Sequence, residues 1–249
     1  MGATIAALTQ WLASQVEQAG ARGAVFGLSG GIDSAVVGAL CGRALPGRSL
    51  GLIMPCHSDP RDQQDAALAA EAFALPTQVV DLGPVYDLHL ANLQRCFGAT
   101  GQPSGARPAA LAAANLKPRL RMTALYYFAN RLNYLVVGTG NRSELAVGYF
   151  TKYGDGGVDL LPLGGLVKGE VRRLAEELGV PRRIIEKPPS AGLWSGQTDE
   201  GELGLSYEEL DRYLIDGAAP GAVRAKIERL SRAAGHKLRL PHMPEWPAV

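Results

Sequence analysis

The sequence predicts an α/β protein whose doubly wound, mostly parallel sheet carries helices on both faces. The first reason is that apolar runs rich in β-branched residues recur along the chain with helical patterns between them. The second reason is that a glycine-rich turn at residues 27–34 joins the first of these runs to a helical pattern. Strands that alternate with helices in this way form parallel sheets covered on both faces.

Each element is predicted from its own pattern. The short apolar runs at residues 24–28, 50–54, 77–80 and 134–138 predict buried strands. An amphipathic helix is predicted over residues 1–21, because residues 5, 8, 12 and 16 are apolar and share one face. Further helical patterns cover residues 34–43, 61–74, 109–132, 168–178, 207–213 and 219–234.

Two segments have no clear periodicity. Residues 98–106 are rich in Gly, Pro and Ser, and residues 187–204 form a longer irregular stretch. We expect both to be mobile, and the second to be a lid over an active site, because long irregular segments within domains often serve as lids.

Polar segments follow all four predicted strands. They are residues 29–34, residues 55–59, Asp81 and residues 139–144. Because ligands of doubly wound sheets bind beyond the carboxyl ends of the strands, we expect these segments to converge on one site.

No linker that would require a domain boundary is evident, so we expect one domain over residues 1–249. The chain is 47% hydrophobic and 20% charged, and its net charge of +1 provides no field that would attract nucleic acid or an anionic membrane. The three cysteines, Cys41, Cys56 and Cys96, form no closely spaced pair, and no signal peptide or membrane-spanning run is present. We expect a cytoplasmic protein without nucleic-acid or membrane partners.

The turn at residues 27–34 predicts a bound nucleotide. Its glycines point backbone N–H groups and a helix N-terminus toward one small space, which suits phosphate. Two hydroxyls, Ser29 and Ser34, and one carboxylate, Asp33, lie in the same turn. A carboxylate beside phosphates is repulsive unless a divalent cation lies between them, so the turn also predicts Mg²⁺.

The turn differs from a P-loop, because no lysine occurs between Gly23 and Ser34. Its sequence, Ser-Gly-Gly-x-Asp-Ser, resembles the pyrophosphate loop of the ATP pyrophosphatases. That resemblance implies a Rossmann-like adenine nucleotide alpha-hydrolase fold and cleavage of ATP between its α and β phosphates.

A dense run of Gly, Thr, Lys and acidic residues follows the fourth predicted strand, at residues 138–144 and 148–159. This run resembles the signature of the NAD synthetases. The resemblance continues at residues 115–122, 161–163, 187–191 and 235–237 and at Lys168, so it extends from Gly27 to Lys237. Gly140, Ser190 and the pair Gly164-Gly165 depart from the commonest bacterial pattern of that family.

The resemblance implies a role for each matching residue. ATP would be bound by Gly27, Leu28, Ser29, Gly30, Gly31, Ile32, Asp33, Ser34, Thr139, Lys168 and Ser190, and Mg²⁺ by Asp33 and Glu144. Deamido-NAD would be bound by Arg119, Lys152, Asp159, His236 and Lys237. Catalysis would involve Ser29, Asp33, Lys168 and Asp155, of which Asp155 is a candidate base for ammonium and equally a turn-forming residue.

The resemblance also implies an activity and an assembly. Members of this family amidate deamido-NAD to NAD with ammonia and ATP, through an adenylate, and bind the dinucleotide at a homodimer interface. Three alternatives remain at this point: a GMP synthetase ATPase subunit, a tRNA-thiolating enzyme and a nucleotide sensor without catalysis. Glutamine-dependent relatives carry an additional amidohydrolase domain, whereas the resemblance implies a single NAD synthetase domain over residues 1–249 here and no glutaminase domain. A separate protein could still supply ammonia from glutamine.

Overall fold

A four-stranded parallel sheet lies at the centre of the chain. The computed structural model describes residues 2–100, 105–194 and 196–244. Within them the strands are β1 (Gly23–Gly27), β2 (Ser49–Ile53), β3 (Thr77–Val79) and β4 (Tyr134–Val137), in the order β3-β2-β1-β4. The predicted doubly wound parallel sheet is confirmed, and each predicted strand lies within one residue of its observed bounds.

Helices connect these strands and make up the second half of the chain. They are α1 (Gly2–Gln18), α2 (Ile32–Ala44), α3 (Pro60–Ala72), α4 (Gly83–Gly98), α5 (Ala106–Ala114), α6 (Leu116–Leu132), α7 (Arg142–Val147), α8 (Lys168–Leu178), α9 (Arg182–Ile185), α10 (Asp199–Leu203), α11 (Tyr207–Asp216) and α12 (Gly221–Ala234). A short 3-10 turn, Gly235–Lys237, follows α12.

Side chains alternate between the two faces of the sheet. Ala24 and Phe26 of β1 pack in a cluster with buried residues of α1, α2 and α8. Val25 between them points to the other face, where it packs in a second cluster with residues of α4 and α6. This alternation follows from the two-residue period of a strand, and it places helices on both faces as predicted.

The strand register brings three carboxyl ends together. Gly27 of β1 pairs with Leu52 of β2, and Phe26 pairs with Val137 of β4. The segments that follow β1, β2 and β4 therefore begin side by side at one edge of the sheet, where the sequence predicts a site.

A third apolar cluster holds the C-terminal helices beside this edge. Val147 of α7 packs with Leu203, Leu210 of α11 and Ile227 of α12. Because α7 follows β4 after a short connection, this cluster fixes the position of the residues between them. No helix within the described ranges is long and apolar enough to cross a bilayer.

Several elements differ from their predictions. The pattern at residues 109–132 predicts one helix, but two helices form, α5 and α6, with a break at Asn115. Pro118 has no N–H to donate to the carbonyl of Ala114, which favours a new helix start there. Helix α4 was not predicted, and α10 lies inside the segment predicted to be irregular. Residues 101–104 of the other irregular segment lie outside the described residues.

Candidate active site

The turn after β1 is held by hydrogen bonds between its own residues. The Ser34 hydroxyl accepts a hydrogen bond from the Ser29 backbone N–H at 3.1 Å and donates to the Gly31 carbonyl at 2.9 Å. The Ser29 hydroxyl lies 3.1 Å from that of Ser34 and accepts from the Gly31 N–H at 3.3 Å. Gly31 then caps α2. The two serines thus shape a compact phosphate loop at a helix N-terminus, which suits anion binding.

Gly30 lies directly against helix α3. Its φ is +80°, and a Cβ built there would lie 2.3 Å from the Asp62 carbonyl oxygen and 2.9 Å from Asp65 Cβ. Only glycine fits this contact, because both the space and the left-handed backbone exclude a side chain. The phosphate loop therefore takes its position from α3 as well as from β1.

Asp33, Glu144 and Lys168 meet beside the loop, although they come from α2, α7 and α8. The Lys168 ammonium lies 2.5 Å from Asp33 Oδ2 and 3.4 Å from Glu144 Oε1. The Lys168 side chain is 6% exposed, and those of Asp33 and Glu144 are 16% and 17% exposed. The structure thus brings together three residues that the sequence placed in the site.

Burial and charge act on this group in opposite directions. Removal from water raises the pKa of Glu144, the Lys168 charge lowers it, and the Asp33 charge raises it again, so that the net shift is upward. Burial alone would lower the pKa of Lys168, but the charges of Asp33 and Glu144 raise it overall. A further cation beside these two carboxyl groups would favour the ionised form of Glu144.

The carboxylates Asp33 and Glu144 fit a magnesium ion bound together with phosphates. Mg²⁺ is commonly held by one or two protein carboxylates, with phosphate and water oxygens completing its shell. Both carboxylates lie within 3.4 Å of the Lys168 ammonium, so they face the same small space. No cluster of three or more acidic, His or Cys residues suitable for a metal occurs among the described residues.

Two further residues of the site were not predicted from the sequence. Asn141 donates its amide N–H to Asp33 Oδ1 at 3.0 Å, and its own oxygen accepts from the Glu144 N–H. The Tyr207 ring lies 5.0 Å from the Lys168 ammonium, and its hydroxyl donates to Asp199 at 3.0 Å. The spacing Asn-x-x-Glu is that of a capping box and could have identified Asn141.

Lys187 links the phosphate loop to the start of the segment at residues 187–204. Its ammonium lies 2.7 Å from both Asp62 and Asp65 of α3 and 3.5 Å from the Gly30 carbonyl oxygen. The hydroxyl of Ser190, three residues later, accepts a hydrogen bond from the Gly192 N–H at 3.1 Å, within its own segment. Thr139 follows β4, close in sequence to Asn141. The base of the predicted lid is thereby anchored beside the loop.

A second group of predicted residues forms a basic cluster away from the loop. The Arg119 guanidinium donates a hydrogen bond to the backbone carbonyl of Lys152 at 3.4 Å. The Lys152 ammonium donates to the His236 carbonyl at 2.6 Å. Lys237 donates to the carbonyls of Gly148 and Phe150, both at 2.8 Å. Arg119, Lys152 and the adjacent pair His236-Lys237 come from three separate segments and thus lie together as one patch.

The two remaining predicted residues have structural hydrogen bonds. Asp155 Oδ1 accepts from the Thr151 N–H at 2.9 Å, which closes the turn next to Lys152. Asp159 accepts from the Tyr126 hydroxyl at 2.9 Å and from the Val136 N–H at 2.7 Å. Asp159 therefore ties its segment to α6 and β4, and both of these hydrogen bonds come from outside the basic cluster.

Comparison with known proteins identifies the family of this chain. A family model described as NAD synthase matches residues 4–241. The NH(3)-dependent NAD(+) synthetase of Carboxydothermus hydrogenoformans is 51% identical over 95% of each chain. The chain belongs to the NAD synthase family. Members of this family are ligases that form a carbon–nitrogen bond with ATP as co-substrate, so the expected enzyme class is confirmed and the GMP synthetase alternative is not favoured.

Solved structures show the same fold. The NMN synthetase of Francisella tularensis matches with a TM-score of 0.90 and 37% identity, over 98% of each chain. The NH3-dependent NAD synthetase of Campylobacter jejuni matches with a TM-score of 0.77 and 27% identity, also over 98% of each chain. The α/β fold of the family therefore extends over nearly the whole chain.

The contact between Gly30 and α3 makes a testable prediction. The substitution Gly30→Ala should destabilise the protein by about 2–4 kcal/mol, because the added methyl group overlaps the Asp62 carbonyl and the left-handed backbone is strained. It should also weaken ATP binding, since the loop must shift. Equilibrium unfolding in urea and ATP titration measure the two effects.

Gly20→Ala is the matched control for this prediction. Gly20 has a φ of +62°, and a Cβ there would meet nothing within 4 Å. This variant should lose only about 1 kcal/mol of stability, because its backbone is strained but the added methyl group overlaps nothing. Equal losses of stability in the two variants would contradict the proposed contact between Gly30 and α3.

Proposed function

We propose that this chain catalyses the ATP-dependent amidation of deamido-NAD to NAD with ammonia, through an adenylated intermediate, with release of AMP and pyrophosphate. The observation that carries the proposal is the pairing of two sites in a member of the NAD synthase family. A phosphate loop with a carboxylate pair lies at the sheet edge, and a separate basic cluster suits the phosphates of a dinucleotide.

In the first step the acceptor carboxylate attacks the α-phosphorus of ATP, and pyrophosphate leaves. Negative charge then grows on the leaving group, which the N–H groups of the phosphate loop and the Lys168 ammonium would stabilise. Mg²⁺ held by Asp33 and Glu144 would neutralise further phosphate charge when bound. No protein nucleophile is needed, so positioning supplies much of the rate.

In the second step ammonia attacks the adenylated carboxyl group and AMP leaves. Ammonia is largely protonated at neutral pH, so a base beside the site has to accept a proton. Asp155 would take this role, since the Thr151 N–H orients its carboxylate and burial raises the pKa of that group. The segment at residues 187–204, anchored by Lys187, would exclude water that could hydrolyse the adenylate.

A second candidate function is amidation of the corresponding mononucleotide. It is favoured by the higher structural similarity to the NMN synthetase of Francisella tularensis, with a TM-score of 0.90, than to the Campylobacter jejuni enzyme, at 0.77. The loop chemistry would be the same, because only the acceptor differs. The 51% identical relative named as an NAD synthetase supports the dinucleotide as the first choice.

Product analysis tests both functions. The purified chain is given ATP, Mg²⁺ and ammonium, with deamido-NAD in one arm and nicotinic acid mononucleotide in the other. We expect NAD, AMP and pyrophosphate in equal amounts, with a larger kcat/KM for the dinucleotide. A larger kcat/KM for the mononucleotide would select the second function, and no AMP in either arm would exclude both. Glutamine in place of ammonium should give no product.

Asp33→Asn tests the metal assignment. The neutral amide keeps the shape of the side chain but removes a charge that holds Lys168 and would hold Mg²⁺, so turnover should fall at least about 100-fold. Asp216→Asn, at an exposed position, is the matched control and should retain normal activity. Steady-state rates at several Mg²⁺ concentrations measure the effect, and near-normal turnover by Asp33→Asn would exclude the assignment.

A homodimer in the cytoplasm forms part of the proposal. Helix α4 exposes Val85, Leu88, Leu93 and Phe97, each 44–68% exposed, and Tyr127 of the adjoining α6 is 64% exposed. Apolar surface of this extent is uncommon on monomers and is typical of protein interfaces. A second copy of the chain would cover this surface.

Leu88→Asp should therefore give a monomer. A buried charge at the interface costs more than the apolar contact it replaces, so the dimer would dissociate. Ile215→Asp is the matched control, because Ile215 is 63% exposed but lies on α11. Light scattering after size-exclusion chromatography measures the mass, and a dimer with unchanged affinity in Leu88→Asp would exclude this interface.

A further inference from the structure

Two cationic side chains on α6 point into the protein without an acidic partner. Lys117 is 6% exposed, and its ammonium donates to the Leu193 carbonyl at 2.8 Å. Arg121, one turn later, donates from Nε to the Met54 carbonyl and from Nη2 to the Ser58 hydroxyl, both at 3.2 Å. Within the described ranges neither cation forms a salt bridge, so all of their acceptors are neutral.

This arrangement is unfavourable without an additional anion. Burial lowers the pKa of Lys117 and of Arg121, and the more distant charges of Asp155 and Asp62 offset this only in part at Arg121. Lys168 and Lys187, by contrast, each contact two carboxylates. A buried charge without a counter-charge costs free energy that a bound anion would recover.

The position of the pair identifies the anion as a phosphate of the nucleotide. Arg121 contacts Met54, the first residue after β2, and the Met54 side chain borders Gly27 at the end of β1. Lys117 contacts Leu193, which belongs to the segment that Lys187 anchors beside the loop. Arg121 thus contacts a residue that borders the first residue of the phosphate loop, and Lys117 contacts the segment at residues 187–204.

Arg119 belongs to a different surface of the same helix. Residues 117 and 121 are one turn apart and share a face, whereas residue 119 points to the other side. There Arg119 contacts the Lys152 carbonyl of the basic cluster. Helix α6 thus presents one arginine to the basic cluster and two cations to the ATP side.

We propose that Lys117 and Arg121 bind the α-phosphate of ATP and stabilise the negative charge on its oxygens while AMP is transferred. The proposal rests on the adenylation step of the proposed function. In that step an oxygen of the acceptor carboxylate forms a bond to the α-phosphorus. The bond from this phosphorus to the bridging oxygen breaks, its electron pair leaves with pyrophosphate, and no proton has to move.

The proposal divides the work between two sets of residues. The phosphate loop and Lys168 hold the pyrophosphate that leaves, whereas Lys117 and Arg121 hold the phosphate that is transferred. A guanidinium or ammonium on the α-phosphate also reduces the repulsion between that phosphate and the anionic acceptor, which otherwise opposes attack.

Binding measurements on three variants test this assignment. Arg121→Met, Lys117→Met and the control Arg119→Met are titrated by calorimetry with Mg²⁺–α,β-methylene-ATP, pyrophosphate and deamido-NAD. We expect the first two to bind the ATP analogue about 10- to 100-fold more weakly, in line with the loss of a charged hydrogen bond, and to bind pyrophosphate normally. Arg119→Met should bind the analogue normally.

The kinetic readout separates a catalytic role from a structural one. Arg121→Met should lower the single-turnover rate of pyrophosphate release by more than it weakens binding of the analogue, and Arg121→Lys should recover part of that rate. Thermal unfolding checks that the variants fold. If Arg121→Met does not fold, the single-turnover rate and the affinity for the analogue are compared in Arg121→Lys and Lys117→Met instead.

Three outcomes would overturn the proposal. The first is normal binding of the ATP analogue by Arg121→Met and Lys117→Met. The second is loss of deamido-NAD binding alone, which would assign the pair to the dinucleotide diphosphate. The third is an equal loss of affinity for the analogue and for pyrophosphate. A wild-type chain that binds the analogue through these residues but does not amidate either acceptor would contradict the proposed function and leave the phosphate site in place.

Discussion

The ion pair between Asp33 and Lys168 is the contact on which the rest of the site depends. It joins the first turn of α2 to the first residue of α8, which are 135 residues apart in sequence. Removing one partner of a buried ion pair leaves an uncompensated charge and costs about 3–5 kcal/mol. The elements that carry the pair are accordingly fixed by other contacts: Asn141 holds Asp33, and the Tyr207 ring lies against Lys168. The site is thus shaped before a nucleotide binds, which favours electrostatic catalysis.

Much of the fold could be predicted because its signals are local. Strands, the glycine turn and α8 follow from short apolar runs, Gly positions and helical periodicity, and their bounds agree with the structure. Helix α4 escaped prediction because many of its apolar residues, such as Leu88, lie on an exposed face, where they give no core pattern. The break at Asn115 depends on Pro118, a single residue inside a continuous helical pattern.

The site could be predicted only in part, because its contacts link distant segments. Family resemblance assigned roles to Asp33, Glu144 and Lys168, but periodicity contains no information that the three side chains meet. The partners of Lys187 on α3 and the inward direction of Arg121 are likewise products of the folded chain. The capping-box spacing at Asn141 was the one missed signal that the sequence contained.

The distribution of charge around the reacting phosphates has a physical logic. On the pyrophosphate side Asp33 and Glu144 would hold Mg²⁺, and both contact the Lys168 ammonium. On the α-phosphate side, as proposed, Lys117 and Arg121 are cations without counter-ions. The nucleophile is itself an anion, so a carboxylate beside the α-phosphate would add to the repulsion that opposes attack. Leaving those two cations unpaired until ATP binds places positive charge at the point where the two anions must meet.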